Sequence, residues 1–523
     1  MRAVSRIGIV VIFLVMMFTV SAFGSATNIY ITQSGSPTGN CTANVQTPAF
    51  FNSAANWGTG ANQIGPGTTV LFCGTFTGTA GQSGFTFQGS GASGKPITLL
   101  FDTNAQMSAP YWGSASTGAI NCSGRSYLIM DGGTSGIIQN TANGTSLANH
   151  QSSNGVYASN CTNIEIRNLA IQNIYLNQGS NSGATDTNGQ NTADISLQGN
   201  SSGDSVHDNV LSNARTGLWV DFDSGHDASN LLVYNNTISD HPWSISMGAC
   251  NASSTATNVK IYDNDISDWL NWQFPSSTYH TDGIILFNDA DGGHICSGLA
   301  PIATFQVYNN YFHGSLGNGS ATGYIACGER TSCYIFNNLM VDNGSYACYG
   351  YIWLYNYAGP YYIYNNTLVG SGGGIAVTTD GGSPNGGTYL ENNIFTNIST
   401  SLHSYVTLRD DITSSDYNIF RNSSGSAPSL ATNDSTYLTM STWQSYGFDG
   451  SSVSADPKLS GTYSLQSGSP AIGMSTNLVS TGITALDSDK AGVARSSSGA
   501  WDTGAYTFGV VPAAPSGLTA TVQ

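Results

Sequence analysis

The feature that most constrains this chain is a four-residue motif that ends in Asn and returns at a nearly constant distance. It occurs as VHDN (206–209), VYNN (233–236), IYDN (261–264), VYNN (307–310), IFNN (335–338), IYNN (363–366) and LENN (390–393). The final asparagines follow one another after 27, 28, 46, 28, 28 and 27 residues. A constant step with one enlarged interval indicates the stacked coils of a solenoid, one of which carries an insertion.

A second strand-like segment follows each of these motifs and usually starts at a glycine. These segments are GLWVDFD (217–223), PWSISMG (242–248), GIILFND (283–289), GYIACGE (323–329), GYIWLYN (350–356) and GIAVTTD (374–380). Two or three short strands per coil, joined by polar turns, predict an all-β chain folded as a parallel β-helix. The repeated asparagines would then form a ladder inside one turn, which gives them a structural role.

Several of these segments resemble a known family. The stretches VYNNTIS (233–239) and IYNNTLV (363–369) and the closing residues 456–473 and 502–509 are similar to the right-handed parallel β-helix proteins of the pectate-lyase-like superfamily. The resemblance covers roughly residues 28–510. It implies the fold, with loop insertions on one side. It leaves the activity open, because the superfamily includes lyases, hydrolases, epimerases and non-catalytic surface proteins.

The chain divides into five predicted parts. Residues 1–26 read as a secretory signal peptide, because Arg2 and Arg6 precede the apolar run IGIVVIFLVMMF and small residues follow. Residues 27–110 are expected to form an N-terminal cap and the first coils, and residues 111–425 the β-helix repeats. Residues 426–510 would form C-terminal coils and a closing segment, and residues 511–523 a Pro-rich tail or linker.

The expected secretion bears on the cysteines and the charge. Nine cysteines in an exported chain predict disulfides, with at least one cysteine unpaired or bonded to another chain, and Cys327 with Cys333 would close a short loop. Only 13 Lys and Arg stand against 30 Asp and Glu, for a formal net charge of −17. A chain so poor in cations is not expected to bind nucleic acid or an anionic membrane, and no membrane insertion is expected after signal removal.

The longest insertions point to one groove. The 46-residue step contains WLNWQFPSSTYHTDG (269–283), and an enlarged interval before Asn209 contains NQGSNSGATDTNGQN (177–191). Both leave the coil after the Asn-containing strand and before the next one. Equivalent points of a solenoid lie above one another, so the two loops should flank a groove, the usual place for function on a rigid scaffold.

An acidic column is expected beside that groove. Aligning the second strands on their leading glycine places Asp223, Asp289 and Glu329 at the seventh position. Neighbouring coils lie about 4.8 Å apart, so Asp289 and Glu329 would be about 5 Å apart, and Asp223 about 10 Å from Asp289. Asp289 and Glu329 are therefore predicted as acid and nucleophile or base, with Asp223 as the alternative base. The same column could instead hold calcium through Asp223, Asp289 and Asp291, or consist of solvated turn residues.

Other residues near the insertions are candidates for support and substrate contact. His280 precedes Asp282 by two, so both face the same way on an extended segment, and His241 could join them; a histidine bonded within its own loop is the alternative. Arg330 could meet a substrate carboxylate. Four tryptophans are either platforms for sugar rings or packing residues: Trp219, Trp269, Trp272 and Trp353.

These residues and the resemblance together predict a secreted protein that acts on an extracellular polysaccharide. Hydrolysis fits best, because it needs carboxyls and aromatic platforms, whereas a polyuronate lyase must neutralise carboxylates with cations that this chain largely lacks. The motif set of polygalacturonases (NTD, DD, GHG, RIK) is absent, with HTDG (280–283) only a partial match. A calcium-assisted lyase and a non-catalytic surface or glycan-binding protein remain the alternatives.

Overall fold

The computed structural model describes most of the chain. The described residues are 28–145, 147–177, 191–249, 253–269, 281–286, 303–315, 321–328, 331–342, 350–355, 359–371, 374–380, 387–404, 408–422, 429–433 and 436–509.

Thirteen strands stack into one sheet, called the front sheet below. Neighbouring strands pair in parallel, one coil upon the next, until a final antiparallel pair ends the sheet. From the N-terminal end, which we call the lower end, the strands are Phe85–Thr86, Ile120–Ser123, Ser153–Ser159, Thr192–Gln198, Thr216–Asp221, Trp243–Gly248, Thr281–Leu286, Ala321–Cys327, Ile352–Tyr355, Ile375–Asp380, Thr400–Ser404, Ser429–Asn433 and Thr436–Leu438.

Twenty-four further strands form a second sheet, the back sheet, which bends at the asparagine motif. Its pairs are all parallel. The strands are Asn28–Ile31, Val45–Gln46, Thr69–Phe72, Thr75–Thr77, Ile97–Phe101, Gln106–Ala109, Ser126–Asn140, Thr162–Gln172, Ser205–His207, Val210–Ser212, Leu232–Tyr234, Thr237–Ser239, Ala256–Tyr262, Asp265–Ser267, Ala303–Tyr308, Tyr311–His313, Thr331–Phe336, Leu339–Val341, Tyr361–Tyr364, Thr367–Val369, Thr388–Glu391, Ile394–Thr396, Ile412–Asp416 and Ile419–Arg421.

This topology is a parallel β-helix with three strands in a typical coil, as predicted. Each coil crosses from the back sheet to the front sheet and returns, with the right-handed sense that parallel crossovers take. The helices are short and peripheral: Pro48–Asn52, Leu408–Asp411 and Met440–Ser445, with 3₁₀ turns at Ala54–Asn56, Val479–Thr481 and Thr484–Asp487. None of the helices in the described part is long and apolar enough to span a bilayer.

The predicted asparagine ladder is present at the corner of the back sheet. Each asparagine of the ladder donates from Nδ2 to Oδ1 of the asparagine in the coil above, at 2.9–3.1 Å, and the side chains of the ladder are buried. The series runs through Asn209, Asn236, Asn264, Asn310, Asn338, Asn366, Asn393 and Asn418. At the top, Asn418 donates to the buried carboxylate of Asp449 at 3.0 Å, which also accepts from Trp443 Nε1.

Aliphatic side chains fill the interior between the sheets. One column of the front sheet contains only such residues, in register from coil to coil and buried throughout. It consists of Ile195, Leu218, Ile245, Ile284, Ile325, Ile352, Val377 and Leu402. Stacking like on like at each coil buries a continuous core that no single coil could form alone.

The C-terminal segment 454–509 runs along the outside of the back sheet. Its Leu486 and Trp501 pack against a row of stacked rings that includes Tyr308 and Phe336, 4.8 Å apart between ring centroids. Lys490 donates to the carbonyl of Asn309, and Arg495 donates to Oδ1 of Asn337 at 2.8 Å. The segment is thus fixed to several coils at once.

Three disulfides occur in the described part of the chain. Cys327 pairs with Cys333, which confirms the predicted short loop. The other two are Cys41–Cys73 and Cys122–Cys161, each of which joins neighbouring coils.

Candidate functional site

The two largest insertions enter the front sheet along the same edge, as the sequence predicted. Residues 178–190 precede the strand Thr192–Gln198, and residues 270–280 precede the strand Thr281–Leu286. Ala193 pairs with Thr216, Thr216 with Trp243, and Trp243 with Asp282. The two strands are therefore three coils, or about 14 Å, apart.

A column of side chains runs along the outer face of the front sheet, through the middle of its strands. The column alternates with the buried aliphatic residues and follows the register of the strands. From the lower end it contains Tyr157, Ser196, Trp219, Ser246, Ile285, Ala326 and Trp353. Tyr157, Trp219 and Trp353 are partly exposed, whereas Ser246, Ile285 and Ala326 are 8%, 3% and 2% exposed. The accessible aromatic rings therefore lie at the two ends of a covered stretch.

Two carboxylates follow Trp219 on its own strand. Asp221 ends the strand and pairs in register with Gln198 below it, and Asp223 lies in the turn that follows. The backbone N–H of Asp223 donates to Oδ1 of Asp221 at 3.0 Å. The ring of His226 bonds to the carbonyl oxygen of Asp223. Asp221 was missed by the sequence alignment, because only the seventh position was compared.

The register corrects that alignment by one residue in the middle coils. Gly217 is level with Ser244 and Gly283, but Gly283 is level with Tyr324 rather than with Gly323, because Ile284 pairs with Ile325. The pairing of these two strands shifts by one residue at its start, where Thr281 is level with Ala321 but Asp282 is level with Gly323. The alignment of Asp289 with Glu329 assumed that the two leading glycines are level, and the register does not support that assumption.

Several predicted site residues lie outside the described residues. They are His280, Asp289, Asp291, Glu329, Arg330 and Trp272. Their predicted roles stay predictions.

Two other predicted residues are described and are buried. Asp282 has no exposed surface and is paired in register with Trp243 on the neighbouring strand. The guanidinium of Arg215 lies over the Trp243 ring, 4.1 Å from its centroid. Trp269 is 2% exposed and belongs to the hydrophobic core, where it meets Tyr324 edge to face at 5.3 Å. The packing interpretation therefore holds for Trp269, because a sugar ring could not reach its indole.

The side chain of His241 is buried inside the solenoid. Its Nε2 lies 2.8 Å from Oδ2 of Asp194, and neither side chain has exposed surface. Burial lowers the pKa of His241 to about 3 and raises the pKa of Asp194 well above its ordinary value. The interior therefore holds an uncharged pair, with the proton on the carboxyl. This contact was not foreseen from the sequence.

A metal centre is not formed within the described ranges. No three His, Cys, Asp or Glu side chains there are grouped closely enough to hold an ion. Of the predicted calcium ligands only Asp223 falls within those ranges, so the calcium site stays a prediction.

The chain is similar to several solved structures at low sequence identity. No protein-family model matches the chain, and no curated protein matches it. Among solved structures, the pectate lyase Pel9A is 14% identical, with 92% of this chain and 97% of that chain covered and a TM-score of 0.45. A mutant of the PL6 family alginate lyase AlyGC is 14% identical, with 77% and 53% covered and a TM-score of 0.47. XylC in complex with xylose is 10% identical, with 92% and 98% covered and a TM-score of 0.43.

The class to which the molecule belongs follows from its own strand pairing and corner ladder. It is a right-handed parallel β-helix, as its resemblance to the pectate-lyase-like proteins implied. Its front sheet carries a partly exposed aromatic and acidic surface at Tyr157, Trp219 and Asp221.

Proposed function

We propose that this is a secreted protein that binds an extracellular polysaccharide along the front sheet and cleaves its glycosidic bonds by hydrolysis. The observation that carries the proposal is the outer face of the front sheet, where Trp219, Asp221 and Asp223 follow one another towards and beyond the end of one strand, on the sheet whose opposite edge receives both insertions. Aromatic faces with a few polar groups are typical of ligand sites, and carboxyls are the groups that glycoside hydrolysis requires. The three disulfides fit an oxidising compartment.

The proposed roles keep the acidic set that the sequence singled out. Asp289 and Glu329 act as general acid and as nucleophile or base, and Asp223 is the alternative base. His280 and Asp282 position the others, a role that suits the complete burial of Asp282. Contact with the sugar chain comes from Trp219, Trp353, Trp272 and Arg330.

The chemistry sets a requirement on this acidic set. One carboxyl must keep its proton to protonate the leaving oxygen, while the other stays ionised as nucleophile or as base for a water. A separation of about 5–5.5 Å gives retention of configuration and about 6.5–9.5 Å gives inversion. The stereochemistry of the first product therefore reports which pair of carboxyls is used.

A calcium-assisted lyase is the second candidate, and the acidic composition favours it over a metal-free lyase. A chain with 30 Asp and Glu and 13 Lys and Arg would repel a polyuronate unless divalent cations bridged the two. Asp223, Asp289 and Asp291 would supply the oxygen ligands.

The test is a panel of neutral glycans and polyuronates, offered to the protein with calcium and with chelator. Products are followed as new reducing ends and as the ultraviolet absorbance of unsaturated uronates. Reducing ends without absorbance support hydrolysis. Absorbance that requires calcium overturns it in favour of the lyase, and binding without either product overturns catalysis altogether.

Two isosteric variants test the residue roles. Asp289→Asn and Glu329→Gln are each expected to lower turnover at least 100-fold with unchanged thermal stability, because an amide neither donates an acidic proton nor acts as a base. Asp456→Asn is the matched control, since Asp456 lies on the C-terminal segment near Arg421, at 3.8 Å. Full activity in both Asp289→Asn and Glu329→Gln would remove these residues from the mechanism.

A further inference from the structure

One accessible part of the front sheet, where aromatic and polar side chains adjoin, lies at its lower end. Tyr157, Ser196 and Trp219 follow one another in a single column, and Gln198 and Asp221 follow one another in the next outward column. All of these except Ser196 are partly exposed. Above Trp219 the column is covered at Ser246, Ile285 and Ala326, and it is partly exposed again at Trp353.

We propose that Tyr157, Gln198, Trp219 and Asp221 form a binding subsite for an uncharged sugar residue. The proposal rests on the proposed function and adds to it the charge class of the substrate: a neutral polysaccharide rather than a polyuronate.

The aromatic spacing suits one sugar ring and its neighbours. Tyr157 and Trp219 are two coils apart, which is about 10 Å. Ser196 lies between them and is 1% exposed, so its neighbours cover it and the floor of the subsite is closed. The negative faces of aromatic rings attract the positive edges of C–H groups, which a sugar ring presents on its apolar side.

The polar groups at the side of this column are held in place. Gln198 donates from Nε2 to Oγ of Ser196 at 2.9 Å, which fixes its amide plane. Asp221 is level with Gln198, and its side chain lies close enough to Tyr157 that its charge, after burial, raises the pKa of that phenol. An ionised carboxylate accepts strong hydrogen bonds from hydroxyl groups, which every neutral sugar carries.

The same carboxylates would repel a uronate. Asp221 and Asp223 adjoin the subsite, whereas the Arg215 guanidinium precedes the start of the strand and is stacked on Trp243. None of the four subsite residues is a Lys or Arg, and the chain as a whole carries a formal net charge of −17. Like charges brought together lower affinity, so the subsite selects neutral chains.

The experiment compares binding rather than turnover. Affinities of cellohexaose, xylohexaose and mannohexaose are measured by titration calorimetry beside those of hexagalacturonate and hexamannuronate, with chelator present to prevent calcium bridging. At least one neutral hexaose is expected to bind tenfold or more tightly than either uronate. Tighter binding of a uronate, or no binding of any of the five, would overturn the proposal.

Variants locate the binding. Trp219→Ala is expected to weaken the neutral hexaose at least tenfold, while the control Tyr437→Ala, a 67% exposed ring on the last strand of the same sheet, changes it less than twofold. Asp221→Asn keeps the shape of the side chain and is expected to raise uronate affinity at least threefold. Equal affinities in Trp219→Ala and Tyr437→Ala would reject the subsite.

The two proposals fail separately. If Trp219→Ala loses binding but no glycan is cleaved by the parent protein, the subsite stands and catalysis is rejected. If glycans are cleaved with unchanged affinity in Trp219→Ala, hydrolysis stands and the subsite is rejected.

Discussion

At the scale of single residues, the interior contact between Asp194 and His241 is the least expected feature of the molecule. Gly217 packs closely beside this contact. A Cβ at this position would lie 2.6 Å from the carbonyl oxygen of Ser244 and 3.4 Å from Cε1 of His241, so a larger residue would clash. Within the described residues, Oδ1 of Asp194 and Nδ1 of His241 have no hydrogen-bond partner. Such a pair contributes little net stability, but its loss would leave buried polar atoms unpaired.

The pair gives a pH dependence whose sign follows from the protons bound. The folded pair holds one proton, because burial lowers the pKa of His241 to about 3 and raises that of Asp194. The unfolded pair also holds one between about pH 4 and 6.5, but none above about 6.5 and two below about 4. Stability from the pair is therefore level between those values. It falls as the pH rises above the window, and it also falls as the pH drops below it.

The variant Asp194→Asn should change the shape of this profile. The amide can still donate to Nε2 of His241 but does not titrate, so the contribution of this site to the free energy of unfolding should become level above about pH 6.5. Below about pH 6.5 it should fall by about 1.4 kcal/mol per pH unit, because only the unfolded histidine is protonated. Urea unfolding of both proteins from pH 4 to 8 measures this. Parallel profiles would show that the pair does not hold one proton in the fold.

At the scale of elements, the corner of the back sheet explains why the motif ends in two polar residues. The first has a left-handed backbone, with φ between 52° and 65° from Asp208 to Asn392, a conformation that Asn and Asp tolerate better than other side chains. The second is the ladder asparagine, whose amide bonds to both neighbouring coils. One position therefore sets the bend and the other connects the coils.

Removing one ladder amide should be costly. Asn310→Ala would leave Nδ2 of Asn264 without its acceptor and the carbonyl of Ile261 without its donor, both in the interior. With about 1–3 kcal/mol for each buried group left unsatisfied, we expect a loss of about 3–5 kcal/mol in the free energy of unfolding. The control is Asn309→Gly in the same coil, which suits the positive φ of 57° and should cost less than about 1 kcal/mol. Equal losses by urea unfolding would mean that the ladder contributes no more than the turn.

At the scale of the whole molecule, the sequence predicted the architecture because every coil repeats it. The step of the asparagines fixed the coil length, and the two enlarged intervals marked the insertions that enter the front sheet. The register of the second strands could not be read in the same way, because the leading residue alternates between Gly217, Ser244 and Tyr324 at one level. An alignment on glycine alone therefore slips by one residue.

Side-chain direction was the other limit of the sequence. In the sequence, Trp219 lies on a front-sheet strand and Trp269 at the start of the longest insertion, so both were candidates for sugar contact. In the structure Trp219 is partly exposed, whereas Trp269 is in the core. Alternation along a strand cannot distinguish inside from outside when both faces carry apolar residues. For the same reason His241 was expected to join His280 and Asp282, although its side chain is buried and bonds to Asp194.

The central claim, that the front sheet is the functional surface, is tested most directly by hydrogen exchange with and without a saturating neutral hexasaccharide. Residues 192–198 and 216–223 should exchange more slowly with the sugar bound. The back-sheet strands Ser205–His207 and Leu232–Tyr234, which belong to the same part of the solenoid, should exchange unchanged. Slower exchange in the back sheet alone, or no change in either sheet at full saturation, would contradict the account.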